Sequence, residues 1–201
     1  MFIFFRWLFK NIPPDKETET LVRRAAASAY GVFINPDFRR LVNWSAQSEQ
    51  EQDRIFNELL VTGIALLDLI IDAKLPDIKP GRQHFWRGVK GKVPESFCDW
   101  LAGLGIAGQF VDMWKKLIDM RVKEYFDEQK QTRAAWAREF KDHPDKSILT
   151  EAAARLETVV VGSMLHITRG KASTAADDPL RRHLRTWISV LDHRLNERVG
   201  W

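Results

Sequence analysis

The feature that most constrains this chain is the apolar run LLVTGIALLDLII over residues 59–71, interrupted only by Thr62 and Asp68. The run is too short to cross a bilayer, because a spanning helix takes about 20 consecutive apolar residues. Together with the amphipathic stretch before it, the run predicts a helix over about 49–73. A helix that is apolar nearly all round has neighbours on every side, so we expect it at the centre of the fold.

The rest of the chain repeats its apolar residues at helical spacing. Further helices are predicted over about 16–33, 94–104, 106–140, 148–167 and from 179 onward, with short ones over 2–11 and 35–43. No stretch shows the convincing alternation of a strand. The sequence therefore predicts an all-α protein, an irregular bundle of six or seven helices. Its 201 residues fit a single domain over 1–201, with residues 1–12 as an apolar N-terminal appendage.

Four helix starts carry capping signals. Ser48 begins the pattern S-E-Q-E, a capping box whose two outer side chains satisfy backbone N–H groups of the first turn. Asn35 and Asp178 each precede a proline, which is typical of an N-cap followed by the first helical residue. Asp15 is the expected cap of the first long helix.

A basic segment over residues 74–92 is interpreted as a long loop, because it contains Pro76, Pro80 and three glycines and shows no clear period. Its candidate partner-binding residues are Lys79, Arg82, His84, Trp86, Arg87, Lys90 and Lys92. Cations around aromatic side chains suit phosphate backbones and stacked bases, and equally an acidic protein or anionic lipid. The alternative is a solvated connector pinned to the core by its aromatic residues.

A second basic cluster, Arg181, Arg182 and Arg185, falls in the first turns of the last helix. Cations there oppose the helix dipole, and a bound anion would relieve that cost. Asp177 and Asp178 relieve it equally well, so an ordinary surface cluster is the favoured interpretation.

Two motifs match the residue types and spacing of known binding or catalytic sites. Asp68 and Asp72 lie one helical turn apart and could hold a metal or share a proton, or could instead pair with Lys or Arg of the neighbouring basic segment. Residues 103–108 match G-x-G-x-x-G, but no strand precedes them, so we interpret them as a turn between helices. No catalytic residue, cofactor site or metal site is predicted, and an enzyme is not the favoured class.

Residues 2–10, FIFFRWLFK, form the third candidate surface. They are expected to pack on the core of the chain, on a second copy, or at a membrane interface as a peripheral contact, in that order. Charged residues within and after them argue against a cleaved signal peptide. The single cysteine, Cys98, excludes an internal disulfide and favours a reducing compartment, so a cytoplasmic location is expected.

Three functional hypotheses remain. The first is an interaction or adaptor protein that binds a protein partner, or itself, through aromatic and basic surface. The second is binding of nucleic acid or another polyanion by residues 74–92 and 181–185 together, which requires the two segments to meet. The third is an enzyme with a helix-lined pocket using Asp68 and Asp72, which requires a histidine within reach of them.

Overall fold

In a computed structural model, residues 12–142, 150–171 and 175–200 are described, and within these ranges the chain forms seven α-helices and no strand. In chain order they are α1 (Pro14–Phe33), α2 (Pro36–Leu41), α3 (Glu49–Lys74), α4 (Pro80–Gly103), α5 (Gly108–Glu139), α6 (Glu151–Thr168) and α7 (Pro179–Arg198). The all-α prediction is confirmed. The helix predicted over 2–11 lies outside the described residues.

Helix α3 occupies the centre of the bundle, as its sequence predicts. Every residue from Glu58 to Ile71 is buried, and α1, α4, α5, α6 and α7 all pack against it. Gly63 permits a close approach to α1, since a Cβ there would lie 3.3 Å from the Ala25 carbonyl oxygen. One hydrophobic core contains residues from all seven of these helices. Within the described ranges, none of the helices has the length and apolar character needed to span a membrane.

Three of the four predicted caps are confirmed. The Asn35 side chain accepts hydrogen bonds from the backbone N–H groups of Asp37 and Phe38. The Ser48 hydroxyl accepts one from the N–H of Glu51, and the Asp178 carboxylate caps α7. The second half of the predicted capping box is not found among the described contacts, because the Glu51 carboxylate pairs with Arg54 and Arg169. The prediction for Asp15 is wrong: α1 already begins at Pro14, so Asp15 lies inside the helix.

The loop predicted over residues 74–92 is wrong as well. Leu75–Asp77 is a 3₁₀ turn, and α4 then runs from Pro80 to Gly103. Pro80 is the first residue of the helix, where its missing N–H costs nothing. Pro94, which the sequence places at a helix start, lies inside α4. The helix persists through it because the buried side chains on both sides of the proline hold the two halves in place.

The remaining boundaries agree with the sequence to within a few residues. The predicted long helix over 106–140 is α5, and the helix over 148–167 is α6. Residues 103–108 form the turn between α4 and α5, in which Gly105 has a φ of 88°. Glycine readily adopts this left-handed backbone conformation. The need for a turn between two helices therefore explains the glycine at this position, and no nucleotide-binding role is required to explain it.

Candidate functional site: a groove between three helices

The residues of segment 74–92 that were predicted to bind a partner fall into three groups in the structure. Trp86 is only 1% exposed and belongs to the core, so it offers no surface for stacking. Lys90 and Lys92 are paired with carboxylates, Lys90 with Asp72 and Lys92 with Asp15. The remaining members of the set, Lys79, Arg82, His84 and Arg87, are exposed, and none has a carboxylate partner among the described residues.

The arginine cluster at the start of α7 is anchored to α6. Arg181 and Arg185 both pair with Glu157, whose side chain is 14% exposed. Arg182 is exposed beside them. A carboxylate from a neighbouring helix therefore relieves much of the charge that a bound anion would otherwise compensate.

The two basic segments lie near opposite ends of α7. Lys74 donates hydrogen bonds to the carbonyl oxygens of Asn196 and Val199, at the end of α7. Arg82 shares a surface cavity with Arg198, also at that end. Arg185 lies about 20 Å away at the start of the same helix, at 1.5 Å per residue. The two segments are therefore separated by nearly the length of α7 and do not form one contiguous cluster.

Asp68 and Asp72 pair with a lysine of α4, the structural alternative given by the sequence. Lys90 Nζ lies 2.6 Å from Asp72 Oδ1 and 3.5 Å from Asp68 Oδ2. Burial lowers the pKa of Lys90, but the hydrogen bond that Lys90 donates to Asp72 and the negative charges of Asp68 and Asp72 outweigh it, and the pKa is raised. Burial raises the pKa of Asp68 from 3.8 to about 6 despite the charge of Lys90. The charge of Lys90 thus does not fully offset the cost of burying the ionised form of Asp68.

These groups lie in a groove of about 320 Å³ between α3, α4 and α5, which we call the α3–α4–α5 groove. Its apolar lining consists of Leu69, Pro94, Ile118, Val122 and Phe126, and its charged lining of Asp68, Asp72, Lys90, Asp119 and Lys123. The lining thus holds three carboxylates and two ammonium groups. Apolar walls with a few charged groups are typical of a binding site, and the volume is near the lower end for small-molecule pockets.

Helix α5 carries three exposed apolar side chains, one at the groove and two elsewhere on the helix. Phe126, at the groove itself, is 40% exposed, and Met113 and Met120 are 58% and 52% exposed. The two methionines are seven residues apart and therefore lie on one face of the helix. Flexible methionine side chains are common on surfaces that adapt to a partner. Sequence analysis missed this face, although the seven-residue spacing among charged neighbours is a visible signal.

A buried ionic network fixes α5 against α3 and α6. Arg121 donates to both carboxylate oxygens of Glu58, at 3.0 and 3.3 Å, and to Glu124 at 3.0 Å. His166 Nε2 of α6 lies 2.9 Å from the other Glu124 oxygen. Burial and the charge of Arg121 hold the pKa of His166 below its usual value. By holding Arg121, the network fixes the position of the next two residues, Val122 and Lys123, which line the groove.

Histidines, clusters of possible metal ligands and the cysteine thiol are the groups that could carry chemistry in or near the groove. Among the described residues that line it there is no histidine, and His143 lies outside the described residues. In the described ranges, no three His, Cys, Asp or Glu side chains are grouped so as to hold a metal ion. Burial raises the pKa of the Cys98 thiol, so that group is not an activated nucleophile.

Comparison of the chain with protein-family models, with curated proteins and with solved structures gave no match.

Proposed function

We propose that this protein is a non-enzymatic adaptor that binds a helical segment of a protein partner in the α3–α4–α5 groove. The observation that carries the proposal is the presence, in one groove, of apolar walls and a buried carboxylate that is short of positive charge. Asp68 is 8% exposed, and its pKa of about 6 reflects the cost of its ionised form. A partner that supplies a second cation there adds a charge-assisted interaction for Asp68 to the one that Lys90 already makes.

The chemistry of the groove defines the partner segment. Apolar side chains at helical spacing match walls formed by Ile118, Val122 and Phe126, as in other helix-in-groove complexes. A Lys or Arg on the same face would lie between Asp68 and Asp119, where the lining has an excess of one carboxylate.

Among the described residues, the condition that the enzymatic hypothesis requires is not met. It calls for a histidine close to Asp68 and Asp72, and the nearest ionic partner of both is Lys90. Of the described histidines, His166 belongs to the network with Glu124, and His193 lies 3.5 Å from Glu197. The proposal therefore concerns recognition.

A selection experiment tests both the groove and the charge it prefers. A display library of short amphipathic helices, with one position of the apolar face randomised, is selected on the purified protein. We expect enriched peptides to carry Lys or Arg at that position. Their affinity, measured by fluorescence anisotropy, should fall about tenfold or more with Asp68→Asn, because a hydrogen bond to a charged group contributes about 1.5–3 kcal/mol.

Matched variants identify the surface. Phe126→Ser should weaken the same peptides, whereas Val190→Ser, which removes a 44% exposed side chain on α7, should leave their affinity unchanged. Enrichment of peptides without a cation, or equal binding to the wild type and to both groove variants, would refute the proposal. Circular dichroism of each variant establishes that the fold is retained.

A further inference from the structure

A cavity of about 280 Å³ lies between α5, α6 and the start of α7. It has no described lining residue in common with the α3–α4–α5 groove. Among the described residues, its lining consists of Trp136, Glu157, Ala176, Arg181, Arg182 and Arg185. Because three arginines line it, we call it the arginine cavity.

The three arginines occupy one side of α7. An α-helix turns by about 100° per residue, so positions 181, 182 and 185 lie within an arc of about 100°. Positions 181 and 185 are one turn apart, and position 182 lies beside them. The three guanidinium groups therefore face the same cavity, where they can act on one ligand.

The lining of the arginine cavity has an excess of positive charge. Arg181 and Arg185 both pair with Glu157, and Glu157 is the one carboxylate among the described lining residues. Arg182 is exposed and has no carboxylate partner in the described part of the chain. Three guanidinium groups and one carboxylate leave two positive charges in excess on the described lining.

Arg182 and Arg185 retain hydrogen-bond donors for a ligand. A guanidinium group has five N–H donors, and Arg185, whose side chain is 53% exposed, donates to Glu157 through Nη2. The backbone N–H groups at the start of α7 are not needed, because the Asp178 carboxylate already accepts from two of them. Recognition at this cavity therefore depends on the arginine side chains.

We propose that the arginine cavity binds a phosphate monoester that carries a small aromatic group. Guanidinium groups are planar forks that donate two parallel hydrogen bonds to a phosphate. A phosphate monoester carries a charge of about −1.5 to −2 near pH 7, which matches the excess on the described lining. The half-buried indole of Trp136 offers a flat apolar wall for the aromatic group. The volume is just below the usual range for small-molecule sites, about 300–1,000 Å³, and so favours a small ligand.

Isothermal titration calorimetry of the purified full chain with phenyl phosphate tests the proposal. We expect saturable binding at low salt and near neutral pH. Arg182→Gln should lower the affinity about tenfold or more, because it removes hydrogen bonds to a charged group. Arg182→Lys keeps the charge but loses the fork, so its affinity should lie between those of Arg182→Gln and the wild type. Circular dichroism of each variant establishes that the fold is retained.

Arg194→Gln is the matched control, because Arg194 is an exposed arginine of the same helix that is not among the described lining residues. It should bind phenyl phosphate as the wild type does. An equal loss of affinity in Arg194→Gln and Arg182→Gln would assign binding to the general charge of α7 and overturn the site. Absence of saturable binding at low salt would overturn it as well.

Three comparison ligands test the chemistry of the site. Benzoate should bind more weakly than phenyl phosphate, and equal binding of the two would refute the choice of phosphate. Trp136→Leu should weaken binding of phenyl phosphate but not of inorganic phosphate, and wild-type protein that binds both equally would refute the role of the aromatic group. A phosphotyrosine peptide that binds more tightly than phenyl phosphate would place the same group on a protein partner, whereas equal binding would favour a free small molecule.

Discussion

Gly162 and Gly31 provide a matched test of how tightly the bundle is packed around the ionic network. A Cβ at Gly162 of α6 would lie 2.4 Å from the Cε1 atom of Tyr125, whose side chain is fully buried. A Cβ at Gly31 of α1 would have nothing within 4 Å. Both glycines are within helices, so Gly→Ala brings the same gain in helix propensity, about 1 kcal/mol.

The difference between the two variants isolates the steric contact. Gly31→Ala should raise the free energy of unfolding by about 1 kcal/mol. Gly162→Ala adds the same gain but forces the Tyr125 ring to move within a close-packed core, which costs about 1–3 kcal/mol. The free energies of the two variants, from urea unfolding followed by circular dichroism, should therefore differ by about 1–3 kcal/mol.

A double variant checks the cause. Replacing the ring by Tyr125→Leu should remove most of the additional cost of Gly162→Ala, giving a coupling energy in the cycle of about 1 kcal/mol or more. If Gly162→Ala stabilises the protein as much as Gly31→Ala does, the close contact between α5 and α6 is wrong. The position of the network beside it would then be wrong as well.

Three further predictions concern charges and caps. Because the pKa of Asp68 is raised from 3.8 to about 6 in the folded protein, the folded state holds its proton more tightly than the unfolded state does. The free energy of unfolding of the wild type should therefore fall by about 3 kcal/mol as the pH rises from about 4 to above 6, and this fall should be absent in Asp68→Asn, as measured by urea unfolding at both pH values. A difference in stability between wild type and variant that stays constant with pH would contradict this. Arg155 is 4% exposed and pairs with Asp192 at 2.9 Å, so Asp192→Ala should cost about 3 kcal/mol by leaving a buried charge alone, whereas a loss under about 1 kcal/mol would place the pair in a surface environment. Asp178→Ala should cost about 1 kcal/mol as the lost cap of α7, while Asp177→Ala, an exposed neighbour, should leave urea unfolding unchanged.

Helix α4 shows where local signals and tertiary structure disagree. Its prolines and glycines argue for a loop, and a glycine inside a helix costs about 1 kcal/mol relative to alanine. Yet Trp86, Val89, Val93 and Phe97 recur at spacings of three and four, and all are buried. Burial of such side chains contributes about 1.5–3 kcal/mol each, which outweighs the glycines. The apolar spacing was the better guide in this segment than the turn-forming residues.

The caps of α2, α3 and α7 are predictable because each depends on residues within a single helical turn. The α3–α4–α5 groove depends on distant residues: Asp68, Lys90 and Asp119 come from three helices. Their meeting is set by how these helices cross, which sequence periodicity does not specify. Only the pairing of Asp68 and Asp72 with a cation of the following segment was accessible, because burial makes isolated carboxylates costly.

The central position of α3 has a consequence for synthesis of the chain. Its apolar surface is covered in part by α7, since Leu191 lies 3.6 Å from the Cβ position of Gly63. About 120 residues separate the end of α3 from that leucine, which at ~5–20 residues per second takes ~6–24 s to translate. During this interval the most apolar helix of the protein lacks its last neighbour. The nascent chain is therefore expected to expose a hydrophobic surface during this interval, and truncation before α7 should yield aggregates.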